Sequence, residues 1–207
     1  MNILHIDCSP RDESHSRQLS SAVVARLRGK NAGIDVTYRD LGRHPIPHTG
    51  AEYAIALSSP ATLAEGPRNS AFQLSEQLIR EVEAAEVLVI GTPMNNFTVP
   101  SVLKAWIDQI LRIGRTFSSS SEGKVGLLRD RPVFICVASG GVFAGDRANQ
   151  PDFLTPYMKV ALGCVGLMEL YFLPLQATAF LDQEQLATAR DSLIAKVDLD
   201  EILFNLT

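Results

Sequence analysis

Apolar positions along the chain recur with two periods, one of strands and one of helices. Asn2–Asp7 is a short apolar strand, and 16–28 places Leu19, Val23, Val24 and Leu27 at helical spacing, with Gly29 just past the last turn. Residues 34–39 alternate and read as a second strand. Helical spacing returns over 69–84, with Phe72, Leu74, Leu78, Ile79 and Val82. A strand at 86–90, a helix at 100–113, a strand at 132–138, a helix at 153–165 closed by Gly166, a strand at 167–173 and a helix at 183–204 complete the order. Between them, 42–67 holds Pro45, Pro47, Pro60 and Pro67 and reads as one long irregular stretch. Five strands separated by helices predict an α/β fold built on a parallel sheet. The runs VLVI and VFICVA are apolar without a break, as expected where helices cover both faces of such a sheet.

Composition narrows the class. The chain of 207 residues fits a single domain over 1–207, 46% apolar and 20% charged. A net charge of −4 argues against a nucleic-acid partner, which would need a basic surface. No apolar run is long enough for a membrane span, and the amino terminus enters a strand pattern without a basic region, so neither membrane nor signal segment is expected. Cys8, Cys136 and Cys164 are odd in number and far apart, which predicts free thiols in a cytoplasmic setting. The four histidines lack metal-ligand spacing, so no metal is expected.

Parallel sheets bind ligands at the carboxyl ends of their strands, where the strand order changes direction. After the first strand comes CSPRDESHS, which has neither the glycine pattern of a dinucleotide fold nor that of a P-loop. It offers Ser9, Ser14 and Ser16 before a helix, whose exposed N–H groups and positive dipole end attract a phosphate. The same serines also suit a plain helix cap. After the third strand comes GTPMNNF, and after the fourth ASGGVF, where Gly140 and Gly141 permit close approach to the main chain. One loop of hydroxyls and two loops of backbone amides, with Met94 and Phe97 as apolar walls, suit a flat ring with polar edges and a phosphate tail. The stripe Val102, Leu103, Trp106, Ile107, Ile110, Leu111 is wide for a helix covering one sheet face, and suits either core or a subunit boundary. Cys8 reads as a buried inert thiol, and Lys104 and Arg112 as solvated charges.

SPRDESHS at 9–16, PMNNFTVPSVLKAWID at 93–108, GRTF with EGKVGL after it, SGG at 139–141 and TPY at 155–157 together resemble the FMN-dependent NADH:quinone oxidoreductases, or azoreductases. YRDL at 38–41 and PIP at 45–47 fit the same family. The resemblance implies a flavodoxin-like fold and a homodimer with FMN at each subunit boundary. It implies NADH or NADPH as electron donor, with quinone or azo compounds as small-molecule acceptors. By position, it implies that Ser9, Ser14, His15 and Ser16 hold the FMN phosphate. Pro93, Met94, Asn95, Asn96 and Phe97 would line the ring, and Ser139, Gly140 and Gly141 its pyrimidine edge. The family usually has tyrosine where Asn95 stands, and often an aromatic where Ser119 stands. An FMN-binding electron carrier on the same fold, docking to proteins without a small substrate of its own, is the other reading.

Overall fold

The computed structural model describes residues 1–30, 33–199 and 202. Five parallel strands form one sheet: β1 (Asn2–Asp7), β2 (Asp35–Asp40), β3 (Val87–Pro93), β6 (Val133–Ala138) and β7 (Leu170–Leu175), in spatial order β2-β1-β3-β6-β7. The order steps outward from β1 in both directions, so the carboxyl ends of β1 and β3 flank the switch point. A second, two-stranded antiparallel ribbon pairs β4 (Phe117–Ser120) with β5 (Gly123–Gly126).

Alternation along the strands sends side chains into two cores. Ile3, Val87, Val89, Phe134 and Cys136 meet α1 (His15–Lys30) and α7 (Gln183–Ala195) on one face. Leu4, Ile6, Leu88, Ile90, Ile135 and Val137 meet α4 (Gln73–Ala84), α5 (Ser101–Ile110) and α6 (Leu154–Val165) on the other. This is a flavodoxin-like sheet covered on both faces, as the unbroken apolar runs require. Gly166 ends α6 at φ 102, the left-handed conformation that only glycine adopts without strain.

Four expectations change. The 42–67 stretch is not irregular throughout: it holds α2 (Ala51–Ser58), α3 (Pro60–Glu65) and a 3₁₀ turn from Gly66. Both are short, and Ser59 separates them as the N-cap of α3, with Pro60 at its first position. Tyr53 and Ala56 of α2 pack with Phe72 in a small core of their own. The last helix ends at Ala195, short of the expected end at 204, and positions 200, 201, 203 and 204 of that extension lie outside the described residues. Trp106, together with Leu103, Ile107 and Ile110, is fully buried within this chain, so most of the wide α5 stripe is core. Arg112 is not solvated. It is fully buried, donates to Glu76, Ser75 and the Phe72 carbonyl, and stacks over the Phe72 ring.

Candidate functional site

The three loops singled out by the sequence lie at the ends of β1, β3 and β6, neighbours in the sheet. After β1 the chain turns into α1, and Ser9, Ser14 and Ser16 are all buried there. The Ser14 and Ser16 hydroxyls share a hydrogen bond of 3.0 Å. The first α-helical bond runs from the Gln18 N–H to the Ser14 carbonyl, so the N–H groups of His15, Ser16 and Arg17 have no acceptor within the helix. Hydroxyls and free N–H groups converge at the positive end of a 16-residue helix, a donor set suited to an anion. His15 is partly buried. Burial first, and then the Arg11 charge, lowers its pKa, so its ring is neutral near pH 7 and offers one N–H. The Cys8 thiol is fully buried, and burial together with Asp7 raises its pKa far above neutrality, as an inert thiol requires.

The loop after β3 has an unusual backbone. Asn95 and Thr98 exchange main-chain hydrogen bonds of 2.9 and 3.0 Å, and between them Asn96 and Phe97 have φ of 48° and 73°. Positive φ at both central residues marks a type I′ turn. Asparagine tolerates it, whereas a bulky phenylalanine there is strained. Two contacts fix the turn: the Met94 N–H donates to the Ala138 carbonyl at 2.8 Å, and the Phe153 N–H to the Phe97 carbonyl at 3.0 Å. The Phe97 side chain remains 44% exposed at the sheet end, and Asn95 is exposed beside it.

Ser139 is buried at the end of β6, while Gly140 and Gly141 run on as exposed and half-exposed backbone. Two further groups, missed in the sequence, complete this corner. Gln150 donates through Nε2 to the Ser139 hydroxyl at 2.8 Å and lies 3.3 Å from the Met94 sulfur, joining the second loop to the third. A Cβ on Gly141 would lie 2.5 Å from Gln150 Oε1, so a side chain there would push the Gln150 amide aside. The end of β7 also contributes: Gln176 Oε1 accepts from the Phe143 and Ala144 N–H groups at 2.7 and 2.8 Å. Ala177 and Thr178 donate to the carbonyls of Gly141 and Ser139. The rule that parallel sheets bind at strand carboxyl ends, extended to the last strand, could have found Gln176, whereas nothing in the local sequence marked Gln150. All twelve expected positions therefore stand at three neighbouring strand ends, with His15 and Ser16 opening α1 and Pro93 closing β3. Ser119, on β4, belongs to the separate ribbon.

Two open grooves lie elsewhere. One, of about 510 Å³, runs along Thr37 and Glu81, where Glu76 pairs with Arg80 and Glu81 with Arg39. The other, of about 550 Å³, lies between 47–53 and Gln109. Neither reaches the strand ends.

A family model described as a flavodoxin-like fold matches residues 1–197. FMN-dependent NADH:quinone oxidoreductase 4 of Pseudomonas fluorescens is 50% identical over 188 residues, covering 90% of this chain and 89% of that protein. The chain belongs to this family. FMN-dependent NADH:quinone oxidoreductase 5 of Burkholderia lata, another member, is 44% identical over 86% of each chain. Among solved structures, an azoreductase from Bacillus anthracis superposes with a TM-score of 0.79 at 22% identity, covering 94% of this chain and 97% of that one. A Bacillus anthracis FMN-dependent NADH-azoreductase in complex with FMN gives a TM-score of 0.75, also at 22% identity and the same coverage. At that identity the solved structures speak for the fold alone.

Proposed function

We propose that this single flavodoxin-like domain is an FMN-dependent oxidoreductase that moves two electrons from NADH to quinones, with aromatic azo compounds as a second acceptor class. The observation that carries the reading is the meeting of an anion-suited helix start with two backbone-rich loops at neighbouring strand ends. Kinship to enzymes named FMN-dependent NADH:quinone oxidoreductase supports it. Their names also favour an enzyme over an electron carrier, and NADH over NADPH.

The donor set fits FMN. Ser9, Ser14, Ser16, the neutral His15 and the free N–H groups of the α1 first turn would hold the phosphate without adding positive charge. Pro93, Met94 and Phe97 would bound the ring, and the main chain of Asn95 and Asn96 would face its edge. Ser139, Gly140 and Gly141 would meet the pyrimidine side. When bound, the flavin supplies reversible two-electron chemistry. The protein's part is then to orient and to stabilise charge. Main-chain N–H groups of Asn96, Gly140 and Gly141, on loops braced by Gln150 and Gln176, would face developing negative charge at no reorganisation cost, so no side chain need serve as obligatory acid or base. We further place the protein in the cytoplasm as a homodimer. Three free cysteines fit that compartment, and no described helix is long and apolar enough to cross a membrane.

The test is spectroscopic. Purified protein should be yellow or take up FMN, bleach with NADH under argon, and recover its colour when a quinone is added. Protein that neither carries nor takes up FMN would sink the reading.

A further inference from the structure

Beneath the α1 start lies a buried ionic cluster that the reaction itself does not use. Arg17, in the first turn of α1, turns its guanidinium back under the loop rather than out toward a ligand. Nε donates to the Ser9 carbonyl at 2.8 Å, and Nη2 donates to the same oxygen and to Asp40. Nη1 donates to Asp40 at 3.0 Å and to the Tyr38 hydroxyl at 2.8 Å, and Tyr38 in turn donates to Asp7 at 2.9 Å. Arg17, Asp40 and Asp7 are each at least nine-tenths buried. Burial acts to lower the Arg17 pKa, but the Asp40 hydrogen bond and the Tyr38 and Asp7 charges outweigh it, so the group is held charged. The loop after β2 presses on the same spot: a Cβ at Gly42 would lie 2.1 Å from the Ser9 carbonyl oxygen.

The guanidinium therefore ties α1, β1 and β2 to one carbonyl, that of Ser9, at the head of the serine loop. A planar fork can hold two acceptors in one fixed plane, and an ammonium cannot. We propose that Arg17, backed by Asp40, is a positioning residue that sets the serine loop for a phosphate monoester, and so gives the protein its preference for FMN over the phosphate-free riboflavin. This rests on the reading of Ser9, Ser14 and Ser16 as the phosphate site.

The test measures dissociation constants of FMN and riboflavin by quenching of flavin fluorescence, with apoprotein thermal unfolding alongside. Wild type is compared with Arg17→Lys, Arg17→Met, Asp40→Asn and the double variant Ser14→Ala/Ser16→Ala. The preference for FMN should fall at least about tenfold in both Arg17 variants, the size of one charge-assisted hydrogen bond, with riboflavin binding held within about twofold. Asp40→Asn should move the ratio in the same direction, and it carries the test should the Arg17 variants fail to fold. If the Arg17 and Asp40 variants weaken both flavins equally, or neither, while the double serine variant loses the preference, Arg17 is merely structural and the inference fails alone. If wild type binds the two flavins equally, the phosphate-site reading falls and takes the inference with it.

Discussion

At the scale of single residues, the site depends on what the chain does at Asn95–Thr98. The I′ turn imposes positive φ on Asn96 and Phe97, but not on Asn95, whose main chain is fixed through Thr98. The Asn95 side chain is exposed, so its identity is free of folding constraints. The resemblance implies that the family usually has tyrosine there, a ring that can cover a flat substrate; with asparagine the proposed pocket would be more open and more polar. An aromatic pair contributes about 0.5–1.5 kcal/mol beyond its buried area, up to about tenfold in affinity. Wild type should therefore reduce small quinones well and bulky azo dyes with a raised KM, and Asn95→Tyr should improve kcat/KM for the dye more than for the quinone. The measurement is that ratio for one quinone and one dye in both proteins. An unchanged ratio would mean that the flavin is covered by other residues, with the segment from 42 to 67 the first to examine.

At the scale of elements, α4 and α5 are locked by charge as well as by packing. Glu76 on α4 accepts from Arg112 and from Arg115, and Arg115 also pairs with Glu83. Burial acts to raise the Glu76 pKa, but hydrogen bonds from Arg115 and Arg112 outweigh it and bring it from 4.5 down to about 2. A carboxylate whose folded pKa is depressed stabilises the fold above its unfolded pKa, and that contribution fades as pH falls through the folded value. Glu76→Gln should cost about 1.5–3 kcal/mol at pH 7 by urea unfolding. The difference from wild type should shrink as pH drops from 4.5 toward about 2. A constant difference across that window would assign the acid sensitivity to other groups. This lock was illegible in the sequence, because the partners lie 36 residues apart and an arginine in the last turn of an expected amphipathic helix reads as a solvated charge. The β4–β5 ribbon was hidden for a related reason: SSSSEGK has no alternation of apolar and polar residues to betray a strand. The central strands β3 and β6 were legible because burial on both faces leaves an unbroken apolar signature, the edge strand β2 because it alternates, and the ends of all five shifted by only a few residues. The loop positions were legible because sheet topology, not local propensity, decides where a parallel sheet binds its ligand. Gln150 escaped because only the folded chain brings it between Met94 and Ser139.

At the scale of the whole molecule, the proposed homodimer has a different candidate surface from the α5 stripe. Trp106 is fully buried in its own chain, so a charge there would report on folding and not on association. The outer side of α6 is a cleaner case. Phe153, just before the helix, and Val160 within it are 60% and 74% exposed. They are seven residues apart and so share a face. Phe153 also donates its N–H to the carbonyl of Phe97, which makes this apolar face continuous with the candidate flavin loop. A partner seated there would cover Phe97 and shield the ring from water, so association and flavin binding should be linked. Val160→Glu tests both at once, because a residue this exposed in the single chain can take a charge without disturbing the core. Light scattering should find wild type dimeric and the variant monomeric. The far-UV circular dichroism of the two apoproteins should be the same, while FMN affinity falls only in the variant. A wild-type monomer with full flavin occupancy would remove the dimer. A variant that stays dimeric would move the boundary elsewhere, with Val125 on β5 and Leu127 just after it, 61% and 52% exposed, the next apolar pair to charge.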